Sequence, residues 1–525
     1  MGFKEDLSQG WDQEKLWQKY CGFFDLSLGE FMEIQERLLL DQIEQIHGSP
    51  LAGKLMTGKP GDISEFRRLV PLTTFDDYAA YLNGKNEDVL AVKPYCWGHT
   101  SGRGGIFKWV PYTERSLENF VLLGTTLLVL ACTSRKGEIN VENRARTLQN
   151  LPPPPYMAGI LNRLMEEKTG VRIIPPIDKY ENVDFETKLR DGFQMALRDG
   201  VDVLTSLTSV LVKMGERFTE SSGQMTFNRG MLHPRILWRL VRAVLWSKRE
   251  GRGILPKDLW PLKGLICYGT DTGIYREKLR YYWGREPLEN YAATESGLIA
   301  MQAWNKKSMT FIPSSCFLEF IPEQEWLKSR EDKGYQPPTV LLDEVQLGER
   351  YEIIITSFYG MPFLRYRLGD LVRIVALEDE EAGIMLPQMV FESRADDLID
   401  IAGFPRLDER TVWQAIVNTG VKYEDWSARK EYDRNEPVIR LYIELKEESD
   451  VTELERIIHQ ELVSLNRDYR DLEGMLGIRP LRIKPVPAGS FQRYLEEKQK
   501  AGYDLAYLKP QHMNAPDSVI HDLIG

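Results

Sequence analysis

Thr100-Ser101-Gly102-Arg103-Gly104-Gly105-Ile106-Phe107-Lys108 sets three glycines and two hydroxyl side chains ahead of one lysine. Glycine backbones bend so that successive N–H groups face one anion, while hydroxyls and an ammonium add donors and charge. Polyphosphate is a ligand that suits such a set. The flanking residues, Val92-Lys93-Pro94-Tyr95-Cys96 and Trp109-Val110-Pro111, read as extended, so the stretch is a loop between strands. A Walker loop would enter a helix directly and end Gly-Lys-Ser/Thr, so a nucleotide site of another kind is indicated. Without a ligand, the same residues would make only a Gly-rich hairpin.

Three further constellations could complete a site. Glu289-Asn290-Tyr291-Ala292-Ala293-Thr294-Glu295-Ser296 closes on a Thr-Glu pair. Glu295 can hold Mg²⁺ against phosphate, Thr294 can bond a phosphate oxygen, and Tyr291 offers a flat face to adenine; otherwise the octet is a solvated turn. Phe363-Leu364-Arg365-Tyr366-Arg367-Leu368-Gly369-Asp370 puts an aspartate after a glycine at the expected end of a strand. That carboxylate can accept both ribose hydroxyls, or serve merely as an Asp turn. Phe391-Glu392-Ser393-Arg394-Ala395-Asp396-Asp397 is a charged turn ahead of an alternating strand. Arg394 can reach ribose or phosphate, or pair with Asp396 or Asp397 on a surface hinge.

The elements that must position these residues alternate between helical and strand-like patterns, which predicts an α/β class. Helical periodicity marks 16–24, 28–46, 116–131, 159–168, 235–247 and 453–465, and buried strands are expected at 264–269 and 351–356. The run 152–155 is a stiff proline connector, and the acidic patch 378–381 is expected to solvate a hairpin tip. A composition change near residue 391 divides a large N-terminal α/β domain, 1–391, from a smaller α+β domain, 392–525.

Composition narrows the function. The 525 residues carry a net charge of −11, which argues against nucleic acid as a partner. Cys21, Cys96, Cys132, Cys267 and Cys316 are far apart and suit a reducing cytosol. The N-terminus lacks a signal-peptide core, and the longest apolar run, 120–132, is too short to cross a bilayer. The expectation is a cytoplasmic protein with no membrane partner; its oligomeric state is left open.

In order and spacing the four constellations resemble the motifs of the adenylate-forming superfamily, and within it the auxin-responsive-promoter family of acyl-acid amido synthetases. The segment 66–78, the Phe311-Ile312-Pro313 to Phe320-Ile321-Pro322 stretch, and Gly489-Ser490-Phe491 with Gly502 and Lys509-Pro510 extend that resemblance along nearly the whole chain. It implies a large N-terminal domain of the adenylate-forming type with a mobile C-terminal domain hinged at 393–397. The implied function is an ATP- and Mg²⁺-dependent ligase that adenylates a small carboxylic acid and transfers the acyl group to an amine, commonly an amino acid. Lys108, Lys509 and Glu295 would be catalytic, with Glu295 holding the metal. Thr100, Ser101, Gly102, Arg103, Gly104, Gly105, Gly269, Thr270, Tyr291, Thr294, Asp370 and Arg394 would bind ATP. Lys498 and Lys500 rival Lys509. An acyl-CoA ligase is the alternative, since strand 397–401 with Gly403 would suit a thioester-forming enzyme equally well. A non-catalytic nucleotide binder is the second alternative, favoured only if Arg103 blocks the phosphates. Acid-pocket walls are not motif residues; Leu204, Thr205, Ser206 and Leu207, or 122–126, are candidates that can equally be core.

Overall fold

The computed structural model describes residues 3–100, 108–142, 144–149, 151, 153–180, 183, 185–221, 233–268, 272–332, 334–400, 406–433, 436–466, 469–470, 479–500 and 510–524. Two compact units emerge: residues 1–368 with 372–391, and residues 369–371 with 392–525.

The first unit opens with helices. The longest of them, Leu28–Ile46, starts at Ser27, whose side chain accepts from the Glu30 N–H while Glu30 bonds back to the Ser27 backbone. Two glutamines on its buried face fix it to distant backbone. Gln35 Nε2 donates to Pro313 O (2.6 Å) and Cys316 O (2.8 Å), and Gln42 Nε2 donates to Met361 O (2.8 Å). The predicted helix 16–24 divides into an α-helix, Gln13–Cys21, and a tighter turn, Gly22–Asp25.

Strands β1 (Cys96–Thr100) and β2 (Lys108–Tyr112) pair as an antiparallel hairpin. The helix Glu114–Cys132 follows directly. Among the described residues it is the one helix long and apolar enough to cross a membrane, yet 83% of its most apolar window is buried inside the fold. The expected apolar run is therefore part of a longer helix, and that helix is core.

Then come β3 (Arg146–Gln149), β4 (Arg172–Ile174), β5 (Val203–Leu207), β6 (Gly264–Tyr268) and β7 (Leu288–Ala293), with β4-β3-β5-β6-β7 running parallel in that spatial order. The sheet continues from β7 through antiparallel β8 (Gly297–Gln302) and β9 (Met309–Phe311). The remaining strands are β10 (Cys316–Pro322), β11 (Arg350–Ser357), β12 (Tyr366–Ala376) and β13 (Gln388–Arg394), and the order beyond β9 is β13-β12-β11-β10. Strand order reverses about β3, the kind of switch point where open α/β sheets receive ligands at strand carboxyl ends.

The second unit is α+β. Short β14 (Ile399–Asp400) and β15 (Arg406–Leu407) pair with each other. Strands β16 (Tyr423–Asp433) and β17 (Glu436–Leu445) are antiparallel, and β18 (Leu481–Pro485) lies parallel to β17. A small core of Tyr442, Val486, Phe491, Tyr494, Val519 and Leu523 seats the last two helices, Ser490–Lys500 and Asp517–Ile524.

Two local expectations are corrected. Gly369 and Asp370 lie within β12 rather than at a strand's end: Gly369 adopts φ +70°, a left-handed conformation that glycine tolerates, and the strand runs on past it. The acidic tip at 378–381 is tied down rather than only solvated. Asn305 Nδ2 donates to Asp379 (2.6 Å) and Lys307 pairs with Glu381.

Candidate active site

The β1–β2 hairpin is gripped on several sides. Its register places Thr100 opposite Lys108, the pair that flanks residues 101–107. Ser101, Gly102, Arg103, Gly104 and Gly105 thus lie outside the described residues, as do Gly269, Thr270 and Lys509. At the other end the Tyr95 N–H donates to Tyr112 O (2.7 Å). His99 donates its N–H to Pro155 O (3.1 Å), and its ring packs edge-on against Tyr156 (4.3 Å) and Trp109 (5.0 Å). Gly98 permits this packing, since a Cβ there would fall 2.5 Å from the Tyr112 ring and 3.2 Å from Pro155 O. Lys108 Nζ sits over the Phe75 ring at 5.0 Å.

One hydrogen bond joins the hairpin to the second constellation. Tyr112 Oη donates to Thr294 O (2.9 Å) across 182 residues of sequence. The turn after β7 is closed by Ser296 N–H to Ala293 O (3.2 Å) and anchored by Ser357 Oγ to Glu295 O (2.6 Å). Gly297 ends it at φ +77°, with a hypothetical Cβ 2.6 Å from Phe120, so only glycine lets this turn approach the core helix so closely. Glu295 is buried rather than solvated. Tyr291 is also buried, its ring 5.7 Å from Phe391 at 30°. The open face expected of Tyr291 is therefore partly covered by Phe391.

Asparagine 290 escaped the sequence reading. Its Oδ1 and Nδ2 are both buried with no hydrogen-bond partner among the described residues. Cys267 of β6 faces Glu289 of β7, so the strand that leads into 269–271 runs alongside Asn290. A buried amide with spare donor and acceptor is uncommon in a folded chain, and a polar ligand would satisfy it. The sequence signal was available, as an amide beside an aromatic on a strand otherwise headed for burial.

The third and fourth constellations meet in the second unit. Arg394 Nε lies 3.5 Å from Asp370 Oδ1, so the arginine of the fourth constellation pairs with the aspartate of the third. The motif's other arginines are structural. Arg365 grips Glu319 through Nε (3.0 Å) and Nη2 (2.9 Å), both side chains being buried, and donates Nη1 to Arg67 O and Val70 O (both 2.8 Å). Arg367 holds Glu352 at 2.6 Å.

In the same unit Glu444 receives the N–H groups of Gly489 (2.6 Å) and Phe491 (3.0 Å) and so starts the helix Ser490–Lys500, which carries Lys498 and Lys500. Directly after Lys509, Ser427 Oγ donates to Gln511 O (2.7 Å) and the Ala428 N–H donates to His512 O (2.6 Å). His512 is buried flat against Trp426 (4.4 Å, 9°), its two ring nitrogens on Glu409 (2.7 Å) and Asp425 (2.8 Å). Burial opposes the charged imidazole, but the Asp425 and Glu409 carboxylates outweigh it and raise its pKa to about 9.

The acid-pocket candidates separate. Leu204, Thr205 and Ser206 lie at the carboxyl end of β5 around a cavity of about 20 Å³ with Gln149 and Lys188, room for one water. Leu122 and Thr125 instead line a cleft of about 580 Å³ with Leu117, Val121, Leu164 and Tyr359.

Among known proteins, models of the GH3 family match three stretches: its N-terminal domain at residues 22–149, its central domain at 309–394 and its C-terminal domain at 410–516. The chain is 26% identical over 435 residues to a jasmonoyl–L-amino acid synthetase, JAR4, of Nicotiana attenuata, covering 72% of each. It is 24% identical over 561 residues to an indole-3-acetic acid-amido synthetase, GH3.8, of Oryza sativa subsp. indica, covering 93% of this chain and 89% of that one. In structure it is similar to the AtGH3.15 acyl acid amido synthetase in complex with 2,4-DB (TM-score 0.69, 18% identity, 94% of this chain and 93% of that one). It is also similar to a 2-hydroxyisobutyryl-CoA ligase in its postadenylation state (TM-score 0.61, 10% identity, 90% and 93%). With all three of the family's domains matched in order over more than half its length, the chain belongs to the GH3 family.

Proposed function

We propose that this chain is an ATP-dependent acyl-acid amido synthetase, which adenylates a small carboxylic acid and passes the acyl group to the amine of an amino acid. The observation that carries this reading is the Tyr112–Thr294 hydrogen bond, which holds the lysine-bearing hairpin beside the Thr-Glu turn. Family membership and the amide-forming activity named in its relatives support it.

A carboxylate is a poor acyl donor until its oxygen has attacked the α-phosphate of ATP and displaced pyrophosphate. That step gains from fixed positive charge and N–H donors around the phosphates. Lys108 and the 101–105 backbone would supply them, and Thr294 would bond a phosphate oxygen. Asp370 would take the ribose hydroxyls, with Arg394 holding its carboxylate. Asn290 would bond the base edge beside Tyr291.

Mg²⁺ would be held by Glu295 together with the phosphates. No group of three metal-ligating side chains occurs among the described residues, and Mg²⁺ on a nucleotide needs only one or two carboxylates. Bound there, the ion would neutralise charge on the departing pyrophosphate. Lys509 would serve adenylation. In the second half-reaction a neutral amine attacks the mixed anhydride, and the site's contribution is proximity and exclusion of water. The five cysteines are free, in keeping with a cytoplasmic setting.

The test is pyrophosphate release over a panel of carboxylic acids, followed by product mass with amino acids or coenzyme A. Amide products support the proposal. Thioester products would transfer the chain to the acyl-CoA ligase reading, and no acid-dependent release would leave only nucleotide binding.

A further inference from the structure

The helix Pro234–Arg249 has two unlike faces. Ile236, Leu240, Ala243 and Ser247 are buried and hold it to the first unit. On the opposite side Trp238 (62% exposed), Val241 (57%) and Leu245 (64%) make an apolar stripe open to solvent, with Leu237, Val244 and Trp246 also exposed. Isolated exposed apolar residues are ordinary, but a continuous stripe headed by one tryptophan, with a second exposed just beyond its border, marks a contact surface.

Its charge says what kind of contact. The helix holds Arg235, Arg239, Arg242, Lys248 and Arg249 and no acidic residue, in a chain whose net charge is −11. At about 100° per residue, Arg235, Arg242 and Arg249 border the stripe on one side and Lys248 lies on the other. Arg242 donates to Leu259 O (3.0 Å), which ties this border to the neighbouring turn Pro256–Leu259, and Lys257 of that turn adds another cation. Asp258 in the same turn is already bound by Arg252 (2.7 Å), Asp199, which feels the charge of Arg235, is held by Arg198 (2.9 Å), and Glu250 follows the helix. The Arg242 and Arg249 guanidinium groups lie 5.1 and 5.7 Å from the Trp238 and Trp246 ring centres, giving a platform with apolar body and charged rim.

We propose that this face docks on an anionic lipid surface. The helix lies in the plane of the interface, the Trp238–Val241–Leu245 stripe enters the acyl boundary, and the long basic side chains reach back to the lipid phosphates. The cytoplasmic leaflet has that negative charge. A second copy of this chain suits the face poorly, because two-fold pairing would bring like-charged helices together. The inference departs from the sequence-based expectation of no membrane partner, and it is independent of the amide-forming reaction.

The test is co-sedimentation of the full chain with vesicles of equimolar phosphatidylcholine and phosphatidylglycerol, and with vesicles of phosphatidylcholine alone. Binding is expected to the anionic vesicles, weakening as salt is raised. It should fall more than about ten-fold in the Trp238→Glu/Leu245→Glu double variant, which places charge in the stripe, and in an Arg235→Gln/Lys248→Gln/Arg249→Gln triple variant, which removes cations that would meet the lipid phosphates. Amide synthesis from soluble substrates should be unchanged in both, showing that the fold is intact. Failure of the parent chain to bind anionic vesicles, or equal binding by the double variant, would overturn the proposal. So would a dimer in solution that the double variant breaks, which would assign the stripe to a second copy, or vesicle binding that ignores lipid charge.

Discussion

At the scale of single residues, Glu295 combines burial with a fixed backbone, its carbonyl held by Ser357. Glu295→Gln keeps the size and removes the charge. Acid-dependent pyrophosphate exchange should drop by about 100-fold or more, as when one preorganised electrostatic contact is lost, while the thermal midpoint stays near that of the parent chain. Unchanged exchange in that variant would remove the metal role from this turn. His512 makes a prediction in pH. An imidazole whose pKa rises from 6.5 to about 9 on folding stabilises the fold fully below pH 6.5, and that contribution fades as pH climbs toward 9. The thermal midpoint of the second unit should therefore decline over that interval, and His512→Gln should flatten the decline. Of the site residues, those in motifs were readable from residue type and order, because phosphate chemistry needs glycine, hydroxyl, lysine and carboxylate in company. Asn290 and His512 were not. Sequence offers Asn290 only as an amide beside an aromatic; what marks it is that both its polar atoms are buried without a hydrogen-bond partner among the described residues, while His512 lies between two acids 103 and 87 residues away.

Whole elements explain how the motif arginines act. The strand β12 is braced where it begins: Thr73 donates its N–H to Arg365 O (2.9 Å) and accepts from the Arg367 N–H (2.8 Å). Arg365 there has φ 42°, a left-handed conformation unusual for arginine, and its guanidinium is spent on Glu319 and two carbonyls. Glu319→Ala would leave that cation buried without its counter-charge, a change that costs about 3–5 kcal/mol. Urea denaturation of the variant should show a loss of that order, and adenylation should suffer as Gly369-Asp370 loses its support. A loss below about 1 kcal/mol would show that water reaches Arg365 and relieves it. Helices were the most legible elements, since 28–46 shows the same bounds by periodicity and in the structure. The pairing of Gln35 and Gln42 with backbone some 280 to 320 residues away had no local signature, and neither did the left-handed break in β12.

At the scale of the whole molecule, residues 369–371 of β12 belong with the second unit, although the rest of that strand belongs with the first. A fragment cut at residue 391 would leave the second unit without Asp370, the partner of Arg394. Kinetics gives the matching test for Lys509. Lys509→Ala should cripple acyl-adenylate formation yet convert a supplied acyl-adenylate to amide at near-normal rate. Equal loss in both half-reactions would deny the lysine a role confined to adenylation, and no loss in either would pass the role to Lys498 or Lys500. The α/β class and the smaller α+β unit were legible as alternating periodicities. The reversal of strand order about β3 was not, because parallel neighbours are chosen by long crossovers that leave no trace at any one residue. The core helix Glu114–Cys132 bears on the life of the chain before it folds. Nascent or heat-loosened molecules expose this largely apolar segment, and docking against the sheet and the neighbouring helices withdraws it. Variants that slow this docking should therefore be lost to proteolysis and misdirected to membranes well before their catalytic chemistry is compromised.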